Sequence, residues 1–268
     1  MSIHYAPKSS ITRFGLIVVC TALLTACASP SQQTSIIPSA TADITRKDGV
    51  FTQPLAAQKI KPGCKGECPT VQVDSLVFPG NKPLTDYVDQ QLAHMAQLNN
   101  ERPSNYASVD DFIKAYWKLA GPRDEAILYA KPRYRNKDLT VVELGFLHYS
   151  TGAAHGSSQV QFLNWDNKQK APLTFTDIIK PKQEQVFTER LQQAHQQWLK
   201  KQDLGEESPA QYQRLWPFQP SKNIALTDTG VLVKYNAYEI APYSSGQPEL
   251  LISYPQLQDV LQARFLPK

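Results

Sequence analysis

Strong charge of either sign is missing from this chain. Its 28 Lys and Arg stand against 24 Asp and Glu, a net charge of +4, and no Lys/Arg stripe interleaved with aromatics runs along it. A nucleic-acid partner, which demands a basic footprint on one face, is therefore not expected. A spanning run is missing too: the one sustained apolar stretch, Phe14 to Leu24, falls short of the ~20 residues a membrane helix requires. Cysteines number four and histidines five, with no two pairs at zinc-ligand spacing, so neither a metal nor a cofactor is expected. The G-x-S-x-G elbow is absent although Ser157 and Ser158 adjoin His155, and no other nucleophile stands at a fixed spacing from a base.

What the N-terminus does have is an address. Lys8 and Arg13 precede the apolar run, and Leu24-Thr-Ala-Cys27 follows it at once, an order that reads as a secretory signal. The tetrapeptide resembles the lipobox of bacterial lipoproteins. This implies a signal peptide over residues 1–26 and acyl chains, palmitate among them, on Cys27. Several chains on one residue anchor a protein firmly without spanning the membrane. Ala28 and Ser29 follow in place of an aspartate, which resembles outer-membrane sorting. Lys8 and Arg13 are the only charged residues of the signal, so the mature net charge falls from +4 to +2.

With Cys20 removed and Cys27 lipidated, Cys64 and Cys68 remain in Gly63-Cys-Lys-Gly-Glu-Cys-Pro69. In an oxidising envelope such a pair reads as a small-loop disulfide. The zinc half-site alternative lacks a second pair.

Residues 27–62 are rich in Ser, Thr, Ala, Gln and Pro without a sustained apolar period, the composition of a flexible tether. Thr70 to Phe78 alternates as a strand. Leu84, Val88, Leu92 and Met95 repeat at helical spacing, and Ser108 caps a second helix through Ala120. Strands are expected over Glu125 to Arg135, Leu139 to Tyr149 and Gln159 to Asp166. A long helix follows over Pro181 to Gln202, with Phe187, Leu191, Ala194 and Trp198 inside and His195 facing water. Gly205 to Ser221 reads as an aromatic loop. Ile224 to Leu226 and Val231 to Ile240 read as a hairpin, Leu250 to Ile252 as a short strand, and Ser253 as the cap of a terminal helix. The order implies an α+β fold, an antiparallel sheet with helices packed on one side and a Gly/Ala-His turn between two strands. Residues 63–138 form an N-terminal α+β segment and 139–268 a second domain.

Two positions invite chemistry. His155 sits in Gly152-Ala-Ala-His-Gly156, where small residues permit a tight turn that displays its side chain. Glu239 falls on the apolar register of the strand from Val231; a buried carboxylate needs a partner, and His155 could supply it as a general acid/base pair. The alternative is a structural bond pinning two turns. Gly152, His155, Gly156, Tyr243, Trp216 and Phe218 are the candidate binding positions.

Gly152-Ala-Ala-His155-Gly156, the segment closing on Asp177 and Ile178, and Tyr238-Glu-Ile-Ala-Pro-Tyr243-x-x-Gly246 together resemble the RsiV-like extracellular domain, a bacterial family of unknown function. The stretch from Cys64 to Arg135 resembles the deacetylase-associated segment that precedes it. Ala153 departs from the family's Gly-Gly-Ala-His turn. The resemblance implies a recognition domain, which in the founding anti-sigma factor binds lysozyme and elsewhere accompanies a separate deacetylase. With 13 residues ahead of the apolar run, no sigma-binding segment is expected, nor is a deacetylase. The expected function is an envelope-anchored, non-catalytic module for a lysozyme-type muramidase or cell-wall glycan. The alternatives are a hydrolase of envelope polymers using His155 and Glu239, and a structural accessory of outer-membrane assembly.

Overall fold

The computed structural model describes residues 52–97, 105–202 and 208–267, all within one compact unit, Ser35–Lys268. Cys27, the signal peptide and most of the stretch read as a tether lie outside the described residues. The fold is α+β, as the sequence implies. Strands β1 (Gln53–Ile60), β2 (Thr70–Val77), β3 (Glu125–Arg135), β4 (Leu139–Tyr149), β5 (Ser157–Asp166) and β6 (Ala171–Leu173) form one sheet in that order. All neighbours are antiparallel except β2 and β3. The segments on either side of residue 138 thus share a sheet, with β3 and β4 paired along their whole length.

Helices α1 (Lys82–Met95) and α2 (Val109–Leu119) pack on one face of that sheet. Asn81 Oδ1 accepts the Leu84 N–H and Ser108 Oγ the Asp111 N–H, satisfying orphan donors of the first turns. Leu84, Val88, Leu92 and Met95 are buried at their expected spacing against Val142, Leu144 and Phe146 of β4.

The other face is covered at one end only. There Leu139, Val141 and Phe162 meet a second, three-stranded antiparallel sheet, β7 (Ile224–Leu226), β8 (Gly230–Lys234) and β9 (Glu249–Ser253), and helix α4 (Glu184–Leu199). Burial on both sides explains why Leu139 to Phe146 reads as an almost unbroken buried run. The helices therefore divide between two cores, with α1 and α2 on one face and α4 on the other. Two short helices, α3 (Phe175–Ile178) and α5 (Pro209–Leu215), complete the α-helices among the described residues. Among the described residues no helix is long and apolar enough to cross a membrane.

Several local expectations are corrected. Gln53–Ile60, read as tether, is the edge strand β1; seven of its eight residues are exposed, so it pairs through its backbone and carries no side-chain period. The aromatic loop from Gly205 contains α5, opened by a Ser208 and Gln211 capping box. The terminal helix is only a 3₁₀ turn, Tyr254–Leu257. Beyond it the chain turns back to bridge Ile179 with Leu261, and the Lys180 N–H donates to Val260 O at 2.9 Å. His195 does not face water: it is buried, its ring stacked on Trp198 at 5.9 Å and beside Phe218 at 5.6 Å.

Candidate functional site

The end of the large sheet's face that the small sheet leaves bare is a groove of about 860 Å³. Gln72 and Asp74 of β2, Ile127 and Tyr129 of β3, and Leu147 and Tyr149 of β4 form its floor, the alternate residues to those in the first core. Its wall comes from Ala237, Tyr243 and Gln247 together with Gly156 to Ser158, Gln247 donating to Ser158 Oγ. The Gly/Ala-His turn and the Tyr-Glu-Ile-Ala-Pro-Tyr block, distant in sequence, thus meet along one lip.

The turn is pinned from below. Asp124 accepts the N–H and hydroxyl of Thr151 and the N–H of Gly121. Burial alone would raise this carboxyl, but those donors hold it below its ordinary range. Gly152 has φ +87, a left-handed residue that needs no Cβ. At Gly156 a Cβ would press on the His148 carbonyl at 3.1 Å.

His155 is thereby held out at the surface. Its Nδ1 lies 2.9 Å from Gly156 O and its Nε2 2.8 Å from the Tyr238 hydroxyl. A carbonyl only accepts, so in the neutral ring Nδ1 carries the proton and Nε2 takes the Tyr238 O–H. The imidazole stacks on Tyr243 with centroids 4.2 Å apart, and Trp216 stands 6.1 Å beyond Tyr238. In the block, Ile240 and Ala241 are fully buried while Tyr238 and Tyr243 remain 49% and 40% exposed. Two anchoring residues hold two displayed rings. Tyr238 has φ +71, a conformation disfavoured for a bulky side chain and found where the surroundings enforce it.

Glu239 is not the buried partner of His155. β8 ends at Lys234, the chain turns, and Glu239 is exposed, accepting the N–H and side-chain amide of Asn236 at 2.8 and 2.9 Å. Two of the candidate binding positions, Gly152 and Gly156, shape the turn. Tyr243 and His155 form the rim, and Trp216 extends it. Phe218 packs instead into the second core. Cys64 and Cys68 are bonded to each other in the loop between β1 and β2.

The most deeply buried carboxylate among the described residues is Glu143, 2% exposed. It receives Arg133 Nη1 at 2.9 Å, Lys234 Nζ at 2.8 Å and the Tyr129 hydroxyl at 3.2 Å. Glu249 closes the network, 2.9 Å from Arg133 and 3.2 Å from Lys234. Burial would raise its carboxyl, but the two cations hold it below the usual carboxylate range. Burial and the neighbouring Glu143 push the Tyr129 phenol up. The signal for this network was a charge inside an apolar strand, Val142-Glu143-Leu144; its cations come from β3 and from β8, 91 residues away. Among the described residues no group of three or more His, Cys, Asp or Glu is placed to hold a metal.

The model of the family described as protein of unknown function (DUF3298) matches residues 176–255. A crystal structure of a DUF3298 family protein from Pseudomonas aeruginosa PAO1 is 35% identical, with 82% of this chain and 97% of that one covered at a TM-score of 0.74. A DUF3298 member from Bacteroides fragilis NCTC 9343 shares the fold at 18% identity and a TM-score of 0.61, covering 80% of this chain and 94% of its own. No curated protein matches the chain.

Proposed function

This chain belongs to the DUF3298 family, and from that premise we propose that it is an envelope-anchored lipoprotein whose folded part is a non-catalytic recognition module. The lipid on Cys27 would hold the module at the outer membrane. Its ligand is a cell-wall component or a muramidase that acts on one, the class implied by the resemblance to the RsiV-like extracellular domain. The observation that carries the reading is the histidine corner. His155 is engaged through both ring nitrogens and one ring face, and Glu239 is spent on its own turn. General acid/base work needs a nitrogen within reach of a substrate proton; here Nε2 already accepts the Tyr238 O–H. Rigid, half-exposed aromatic rings beside a concave floor are what a binding surface needs.

The test is retention of the full chain, purified in detergent, on isolated peptidoglycan sacculi and on an immobilised lysozyme-type muramidase. Saturable retention on either is expected. Retention on neither would remove this ligand class.

A further inference from the structure

Resting on the recognition reading above, we infer that the groove is a subsite for the glycan strand itself, a polymer of N-acetylated amino sugars, with Tyr149 and Tyr243 as its stacking rings. Three observations point there. First, the floor strands β2, β3 and β4 lie inside the sheet, each paired on both sides. These three strands offer no free backbone edge to an extended polypeptide, so strand addition to the floor is not available. Of the lining strands only β5, paired with β6 at Asn164 to Asp166 alone, has an unaccompanied side. A ligand lying on the floor is read by side chains.

Second, the lining combines ring faces with hydrogen-bonding groups. Tyr149 and Tyr243 stand 37% and 40% exposed, and Gln72, Asp74, Ser158 and Gln247 share the same lining. A pyranose is matched by that mixture, because its C–H faces are apolar and its hydroxyl and acetamido groups project from the edge. The polar groups are already ordered: Gln72 donates to Asp74 at 2.6 Å and Gln247 to Ser158 Oγ at 3.3 Å. Ordering before binding lowers the entropy cost of capture. The Tyr243 ring is fixed by its stack on His155, which gives the histidine a positioning role.

Third, the lining has no strong field of one sign, since Asp74 and Glu125 are set against Lys131. A highly charged partner would gain little steering from it. The groove, at about 860 Å³ and open on one side, lies at the large end of small-ligand sites and exceeds the need of a single sugar.

The test is calorimetric titration of the full chain in detergent with two probes, N-acetylglucosamine hexamer and peptide-free glycan strands from sacculi. It is run on the wild type and on Tyr149→Ala, Tyr243→Ala and Gln247→Ala, each checked for unchanged melting temperature. Binding of at least one probe is expected. Each tyrosine variant should weaken it roughly tenfold, as loss of one aromatic contact does. Should a tyrosine variant melt early, the Gln247→Ala result and Tyr243→Phe, which keeps the ring and should keep the affinity, decide in its place. Glycan binding unchanged in the correctly folded variants would overturn the assignment of the groove. Retention on the muramidase with no binding of either probe would overturn the glycan inference and leave the recognition reading standing. Failure of both probes, of sacculi and of the muramidase would remove both.

Discussion

Asn223 Oδ1 accepts the Phe162 N–H at 2.7 Å while its Nδ2 donates to Val160 O at 3.2 Å, so one amide side chain substitutes for a strand at the edge of the large sheet. β6 accompanies β5 only from Asn164 to Asp166, and Val160 and Phe162 have no strand neighbour on that side. Asn236 takes the Val160 N–H at 2.7 Å, and Asn164 answers from β5 by bonding Ile224 O and the Leu226 N–H of β7. Three asparagines sew the small sheet to the large one and thereby fix where the groove's wall begins.

Each of these amides satisfies backbone groups that would otherwise be orphaned within a core, at about 1–3 kcal/mol per group. Asn223→Ala and Asn236→Ala are each expected to lower unfolding free energy by about that amount. Urea denaturation checks it, and an effect below about 0.5 kcal/mol for both would mean that water replaces the amides at no cost.

Much of this was legible from residue periods alone. The bounds of β3 and β4, the capping of α2 by Ser108, and the buried stripe Leu84, Val88, Leu92 and Met95 follow from alternation, caps and helical spacing. His195 was within reach too, because it lies eight residues beyond Phe187 on the same helical face. What period cannot convey is pairing across the chain. Glu143 draws its cations from two other strands, and β1 joins the sheet through backbone bonds, with its Lys59 side chain reaching Asp110 of α2 at 2.9 Å. Glu239 depends on where β8 stops, which is set by the turn that Asn236 and Tyr238 make. The groove exists only because the small sheet covers half a face, a fact of tertiary arrangement.

Glu143 and Lys234 form an enclosed ion pair, with side-chain exposures of 2% and 11%. Removing one partner of such a pair leaves a charge without compensation and costs about 3–5 kcal/mol. Glu143→Ala should approach that loss in chemical denaturation. Glu249→Ala should cost less, because Glu249 is partly exposed and Glu143 would still hold both cations. Equal losses would contradict a network centred on Glu143.

Burial lowers the His195 and His148 imidazole pKa values, partly offset at His148 by Asp124. In the window below about 6.5, the ordinary histidine value, the unfolded chain therefore binds more protons than the folded one. Stability is full above that value and declines as pH falls through the folded values. Glu249 and Asp124 are held low, so their contribution is present above the carboxylate range and is lost in more acid solution. Thermal melts from pH 7.5 to 5 should show a falling midpoint, and His195→Gln should reduce the slope without abolishing it. A flat profile would contradict the burial of these rings.

At Gly145 an added Cβ would enter the Tyr129 ring, which lies across that glycine and donates to Glu143. Gly145→Ala should displace the ring and destabilise by about 1–3 kcal/mol, as overpacking does. In the double variant with Tyr129→Ala the glycine's own contribution should shrink. Additive effects in that double-mutant cycle would show that the ring does not need the glycine.

Recognition without bond cleavage is tested most directly by incubating sacculi with the full chain and measuring, in one experiment, the protein retained and the soluble fragments released. Saturable retention with no fragments above background is expected, and His155→Ala should weaken retention by loosening the Tyr243 ring. Fragments released in molar excess over the chain, and abolished by His155→Ala while retention stays intact, would contradict it.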